Sequence, residues 1–334
     1  MPSNFRLKNK RILITGGAGF IGSNLCEHFV LRGNQVICFD NLATGNENNI
    51  AHLRKKQNFT FLQGDIRNLD ACLEVCEGTE IVMHQAALGS VPRSIEDPLT
   101  TNEVNVTGFL HMLEAARRKN VPRFIYAASS SAYGDIQSPI KVEGRIGSPL
   151  SPYAVSKLTN EKYADVFSRI YGMEVIGLRY FNVFGRRQDP NGAYAAAIPR
   201  FIKALINGES PVVYGDGEQT RDFTYIDNVI QANELAASTT NKKALNKVYN
   251  VAYGERTSVN ELIAILKDLL SEFDSLIATI PSQHQPERKG DVRNSLASIK
   301  KAQKQLGYQP AYNLRKGLTK AIAWYWESLS DVKA

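Results

Sequence analysis

A run of glycines between an apolar strand and a helix constrains this chain most. Arg11-Ile12-Leu13-Ile14-Thr15 has the length and composition of a buried strand. Gly16-Gly17-Ala18-Gly19-Phe20-Ile21-Gly22 follows, then residues 23–30 with helical periodicity, stopping at Gly33. Gln35-Val36-Ile37-Cys38-Phe39-Asp40 reads as a second strand that closes on an acid. Together these form the βαβ unit that holds a dinucleotide. Gly16 and Gly19 allow a tight turn and a close approach to a pyrophosphate, and Gly22 permits close helix packing. Phe20 and Ile21 complete the turn and are expected to touch the cofactor, and the helix N-terminus beyond offers free N–H groups to its phosphates. Asp40 is placed to accept ribose hydroxyls and to repel a 2′-phosphate. Asn41, not an arginine, comes next, so NAD is expected rather than NADP.

Strands and helices keep alternating. Residues 59–66 read as a strand running into a loop, with Asp65 and Ile66 as candidates for the adenine edge. Residues 80–87 read as another strand, ending in Gln85, Ala86 and Ala87, with Gly89 beyond. A further strand at 123–128 leads into Ser129-Ser130-Ser131. In a doubly wound sheet the loops at 16–22, 85–92 and 129–134 converge on one crevice. His84 is given no catalytic role. Beyond this crevice, Tyr153 and Lys157 stand four apart, on one face of a helix. An ammonium beside a phenol favours the phenolate, which suits a proton-transfer role.

Composition excludes several classes. The chain has 334 residues, 43% hydrophobic and 22% charged, as soluble globular proteins do. Its net charge of +7 is scattered, so nucleic acid is not an expected partner, although a modest positive field suits an anionic substrate. No apolar run is long enough for a membrane and the N-terminus has no signal-like apolar region, so a cytoplasmic location is expected. Cys26, Cys38, Cys72 and Cys76 form no metal-binding pattern, so reduced thiols and no metal are expected.

The glycine turn, the strand-end serine and Tyr-x-x-x-Lys 24 residues beyond Ser129 resemble the extended short-chain dehydrogenase/reductase family. Leu178-Arg179-Tyr180-Phe181-Asn182-Val183-Phe184-Gly185, Gly215-Asp216-Gly217, Arg221-Asp222-Phe223 and Tyr225-Ile226-Asp227-Asn228-Val229 extend the likeness into its nucleotide-sugar epimerase branch. The resemblance covers nearly the whole chain. It implies an α/β fold: a Rossmann-type doubly wound parallel sheet over 1–180, and a smaller α/β C-terminal UDP-sugar lobe over 181–334, with the chain crossing between lobes. By the resemblance Tyr153 takes the proton of the sugar 4-hydroxyl and Ser129 bonds the same oxygen. Lys157 holds the nicotinamide ribose and lowers the tyrosine pKa, and Asn105 lies near the cofactor. Asn182, Arg221 and Arg293 match positions that contact the substrate diphosphate.

The missing residues suggest the reaction. Related dehydratases and decarboxylases carry carboxylates just after the strand-end serine or threonine. Here that segment is Ser129-Ser130-Ser131-Ala132-Tyr133-Gly134, which has no base for C5; Asp135 lies beyond it. C4 oxidation followed by reduction from the other face leaves a 4-epimerase. Gly185-Arg186-Arg187-Gln188-Asp189-Pro190-Asn191-Gly192-Ala193-Tyr194-Ala195-Ala196 resembles the branch acting on UDP-N-acetylhexosamines and their uronic acids. In that comparison Gln188, Ala196 and Ser295 line the sugar pocket with Ser130 and Ser131. Gly89 either widens it for an acetamido group or serves the loop's backbone shape. Arg93 or Arg187 would suit a uronate carboxylate, or loop packing, or the diphosphate. Two other readings stand beside this one: a UDP-galactose 4-epimerase of broad range, and a non-catalytic NAD- or RNA-binding protein on the same fold. Residues 296–307 are expected to form a short helix. Apolar faces near 101–119 and 153–171 suit a homodimer.

Overall fold

The structure is a computed structural model that describes residues 7–190, 195–287 and 293–330. The motif residues 191–194 quoted above therefore lie outside the described residues.

Seven parallel strands form the central sheet. They are β1 (Arg11–Thr15), β2 (Gln35–Asp40), β3 (Phe59–Gln63), β4 (Ile81–His84), β5 (Arg123–Ser129), β6 (Val175–Tyr180) and the strand Lys247–Val251. Their order is Lys247–Val251, β6, β5, β4, β1, β2, β3. The winding reverses between β1 and β4, so a crevice opens there at the C-terminal strand ends. This is the Rossmann-type architecture expected from the alternation. Lys247–Val251 pairs with β6, so the chain returns to the large sheet after residue 181.

Both faces of the sheet are covered, which is why its strands read as continuous apolar runs. Ile12 and Ile14 pack with Leu25, Phe29 and Val229 on one side. Leu13 faces the other, with Cys72, Phe109 and Phe167. All four cysteines are buried free thiols. No helix among the described residues is long and apolar enough to cross a membrane.

The helix Pro152–Tyr171 starts and stops on clear signals. Ser151 caps it by accepting from the Ala154 N–H, Pro152 takes the first turn, and Gly172 ends it in the left-handed region at φ 70°. In the second half, Ser258 and Glu261 form a capping box that opens the helix Val259–Leu270. The helix expected over 296–307 begins later, at Lys300, and ends at Leu306 before Gly307. Residues before it are extended, because Leu296 and Ser298 bond the backbone of Lys141 instead of each other's turns.

A buried ion pair ties the helix to the sheet. Glu161 accepts two bonds from Arg179 on β6, at 2.8 and 2.7 Å, with side chains 8% and 4% exposed. The Arg179 guanidinium stacks on the Tyr133 ring at 4.7 Å. Arg179→Met should strand the Glu161 charge and cost about 3–5 kcal/mol, read as a lower urea midpoint. The double variant Glu161→Leu/Arg179→Met should lose less than either single.

Candidate active site

The glycine turn is shaped by contact. Gly16 sits at φ +65°, and a Cβ there would lie 2.7 Å from the Ala86 nitrogen, so the turn rests directly on the loop after β4. A Cβ on Gly22 would collide with the Gly16 carbonyl oxygen. Gly22 thus permits the helix Phe20–Leu31 to pack on the turn itself. Gly19 caps this helix with no side-chain hydrogen bond, and its first turn holds no acid. The buried Asp40 carboxylate braces the turn, accepting from Ala18 N at 2.9 Å and Leu42 N at 2.8 Å. Each oxygen keeps capacity for another donor.

The adenine-edge candidates form their own group. Asn41 Nδ2 donates to Asp65 at 2.9 Å, and Arg67 forks onto the same carboxylate. Arg67 holds Asp65 down at about 2. Ile66 is buried against Gly108, where a Cβ would meet it at 2.7 Å.

Beside the switch point, Gln85 accepts from the Tyr180 hydroxyl at 3.2 Å, and its buried Nε2 has no partner. Ala86 N donates to Thr15 Oγ1, and Ala87 follows. Asn105 lies in a single π-helical turn, Glu103–Thr107, a distortion frequent at functional sites. Its amide both donates to and accepts from the Leu88 backbone, at 3.2 and 2.8 Å, and donates to Ser156 on the Tyr153 helix. It therefore joins the loop after β4 to that helix. His84 is a neutral core histidine: burial, then Lys157, takes it down to about 3, and it shares a hydrogen bond with Thr15. A positive-φ glycine cradle, an open helix start, a carboxylate at the end of β2 and an unpartnered amide fit a bound dinucleotide.

The structure brings Ser129, Tyr153 and Lys157 together, with one departure from expectation. Lys157 is buried, and its ammonium donates to the Ala127 carbonyl of β5 at 2.9 Å. It lies 5.9 Å from the centre of the Tyr153 ring. Burial takes Lys157 down to about 8. Tyr153 is raised, not lowered: burial of the phenol outweighs the Ser129 hydroxyl, which works the other way. The four-residue spacing shares a helix face, but the ammonium turns to the strand. The serines divide their work: Ser131 donates to the Ser129 oxygen from its N–H at 3.1 Å and its hydroxyl at 2.8 Å, with Ser130 between. Asp135 is exposed and engaged with Ser148 N at 2.8 Å.

Asn182, Gln188, Ala196 and Arg221 line one cavity of about 220 Å³. Tyr214 and Phe223 also line it. Tyr214 flanks the Gly215-Asp216-Gly217 motif and Phe223 closes Arg221-Asp222-Phe223, yet neither residue's spacing marks it as lining a pocket. Gln188 is held by Val183 O and Tyr325. Arg293 and Ser295 lie beside the short strand Thr220–Arg221, bonded through their backbones to Thr220. The Arg293 side chain pairs with Asp216 at 2.7 Å. Gly89 is exposed at negative φ, and a Cβ there would meet nothing within 4 Å, so neither its backbone nor its neighbours require glycine. Arg187 is committed to Glu27 at 2.7 Å and to Asn24. Burial pushes Glu27 up, but Arg187, Arg186 and His52 bring it down to about 2.

Residues 12–252 match the model of the NAD dependent epimerase/dehydratase family. Solved structures agree over nearly the whole chain. A UDP-N-acetylglucosamine 4-epimerase from Methanobrevibacter ruminantium, in complex with UDP-N-acetylmuramic acid, is 37% identical, with TM-score 0.89 over 96% of this chain and 100% of that one. A Thermotoga maritima UDP-glucose 4-epimerase with UDP-glucose is 34% identical, with TM-score 0.87 over 96% and 99%. A Bacillus cereus UDP-glucuronic acid 4-epimerase with UDP-glucuronic acid and NAD is 30% identical, with TM-score 0.85 over 95% and 99%.

Gly16→Ala should drive the loop after β4 away from the turn. The nucleotide released from denatured, purified protein should fall at least about tenfold while circular dichroism is unchanged, the order expected when one strained, tightly packed turn is disrupted.

Proposed function

The chain belongs to the NAD dependent epimerase/dehydratase family, and on that premise we propose that it interconverts UDP-N-acetylglucosamine and UDP-N-acetylgalactosamine by inverting C4. Its cofactor is NAD, and UDP-sugar 4-epimerisation is the activity its relatives support. The observation that carries the choice of reaction is the 129–134 segment. It offers Ser129 beside the Tyr153 phenol, then Ser130 and Ser131, and no carboxylate. Nearby acids are occupied elsewhere: Asp135 with Ser148, Glu161 with Arg179, and Glu143 with Asn250 N. A 4-keto sugar formed here meets no base for C5, so the available step is return of what was taken from C4.

NAD, when bound, accepts and returns the hydride of the sugar C4. In this reading Tyr153 takes the proton of the 4-hydroxyl, and Ser129, oriented by Ser131, bonds the same oxygen. Lys157, anchored on Ala127, holds the nicotinamide ribose. The chain's own groups leave Tyr153 a weak acid; NAD bound in the cradle would supply the positive charge that favours its phenolate. Asn182, Arg221 and Arg293 take the diphosphate. Gln188, Ala196 and Ser295 face the sugar, and the open space at Gly89 receives the acetamido group. The neighbour that holds UDP-N-acetylmuramic acid supports an acetamido sugar. The commitment of Arg187 to Glu27 removes one candidate partner for a C6 carboxylate and favours a hydroxymethyl group. Exposed Leu99, Val155 and Ile170 support a homodimer through the helix Pro152–Tyr171 and its neighbour.

Proton NMR of the purified protein with UDP-N-acetylglucosamine should show the 4-epimer accumulating. UDP-glucose and the N-acetylated uronate should turn over more slowly, and a reversed order would reject the assigned sugar. Tyr153→Phe should lower kcat about 10²- to 10⁴-fold with NAD still bound, and full turnover by this variant would reject the proton path.

A further inference from the structure

Asp222 sits between two cavity residues, Arg221 and Phe223, and is 0% exposed. Its carboxylate accepts four hydrogen bonds, all from backbone N–H groups. Oδ1 accepts from Tyr253 at 3.1 Å and Gly254 at 3.2 Å, and Oδ2 from Gly254 and Ala297, both at 3.2 Å. Its own carbonyl accepts from Asn182 Nδ2 at 3.1 Å. One residue thus gathers three separate segments: the bend at Asn182, the turn at 253–254 and the extended strap 293–298.

The strap is hung at both ends. Thr220 N donates to Arg293 O at 2.9 Å and Ser295 N to Thr220 O at 3.2 Å. At the far end, Lys141 N donates to Leu296 O at 2.8 Å and Ser298 N to Lys141 O at 2.9 Å. Lys141 lies in the loop that follows the 129–134 segment. The Asp222 bond to Ala297 joins the strap's far end, between Leu296 and Ser298, to the cavity wall.

We propose that Asp222 is a positioning residue for the UDP-sugar: its carboxylate fixes the strap that carries Arg293 and Ser295 against the Asn182/Arg221 cavity, and so sets the reach from the diphosphate to the strand-end serines. The inference rests on the UDP-sugar reading above. Only an acceptor fits this position, because both oxygens face N–H donors. An asparagine would turn its NH₂ toward a donor, and a protonated carboxyl would do the same with its O–H. Protonation of the native residue therefore imitates Asp222→Asn. Burial pushes Asp222 up to about 7, against the Ala297, Gly254 and Tyr253 donors, and Glu255 adds to the rise. The other titratable groups near it are Tyr253, itself raised by burial, and the buried Tyr308, whose hydroxyl donates to Ala252 O at 2.9 Å. Arg293 on the strap is paired with Asp216 and Glu287.

The test follows KM and kcat for UDP-N-acetylglucosamine against pH in wild type and Asp222→Asn, with bound NAD quantified. As pH falls through about 7 the wild-type residue gains its proton, so KM should rise toward acid with kcat nearly level. Asp222→Asn should show a KM about tenfold higher at alkaline pH, the order of one unmade buried hydrogen bond, without that pH dependence and with NAD content unchanged. A variant KM equal to wild type, or one that moves only together with kcat and NAD content, overturns the proposal. Should Asp222→Asn not fold, the wild-type profile decides, and a KM flat across this range overturns it. Binding of UDP itself, followed by calorimetry over the same pH range, keeps the two readings apart. Wild type without turnover rejects the function, whereas a pH-independent UDP affinity rejects the role of Asp222.

Discussion

The close approach of Gly16 to Ala86 is the contact on which the rest of this structure depends. Parallel strands that wind in opposite directions leave a crevice, and here it is narrowed until backbone lies on backbone. Only a residue without Cβ, at positive φ, allows that. Once the turn and the loop after β4 are in contact, their neighbours are placed as well. Asp40 ties the turn to β2, Thr15 ties Ala86 to β1, and Asn105 grips Leu88 from a π-helical turn. Through Ser156 that grip reaches the helix that carries Tyr153. The cofactor cradle and the tyrosine are two ends of one chain of hydrogen bonds.

The second anchor of that helix is the Glu161–Arg179 pair. In a dry interior, desolvation cancels most of the attraction between such charges, so their effect is register more than net stability. The bidentate geometry fixes the helix along β6, while the guanidinium face holds Tyr133, which belongs to the serine segment. Tyr133 in turn donates to Asn250 at 2.7 Å, and Asn250 bonds Lys141 O and Ser298 O. The serine segment and the strap beside the cavity are thereby built from one buried polar network. Among the described residues none of its buried side-chain polar atoms lacks a partner, which is the condition under which such networks define a single arrangement.

Much of this was legible because it is local. Strand β1 and strand β2 fall where their apolar runs and turn residues place them. In the structure, Ser151 and Gly172, and Ser258 with Glu261, mark helix ends through bonds that span three or four residues, the short range over which sequence signals act. Less legible was anything set by partners far along the chain. The spacing of Tyr153 and Lys157 suggests an ammonium that stabilises a phenolate. The ammonium is instead held by Ala127, thirty residues back, and burial raises the phenol. Arg187 looks like an anion receptor until Glu27, some 160 residues earlier, occupies it. Residues 296–299 have a helical pattern, yet Lys141 draws them into an extended strap.

By itself the sequence determined the architecture and the dinucleotide turn, and it pointed to Ser129, Tyr153 and Lys157 as neighbours. Period, glycine placement and capping act within a few residues, and the parallel sheet follows from them. The tertiary structure alone decided which charges are spent on packing and which remain for chemistry. It buried Asp222 among backbone donors from three segments, turned Lys157 to the strand and closed Arg187 against Glu27. These outcomes depend on burial and on distant partners, which set both the hydrogen bonds and the protonation of a side chain, and neither is encoded in the spacing of neighbours along the chain.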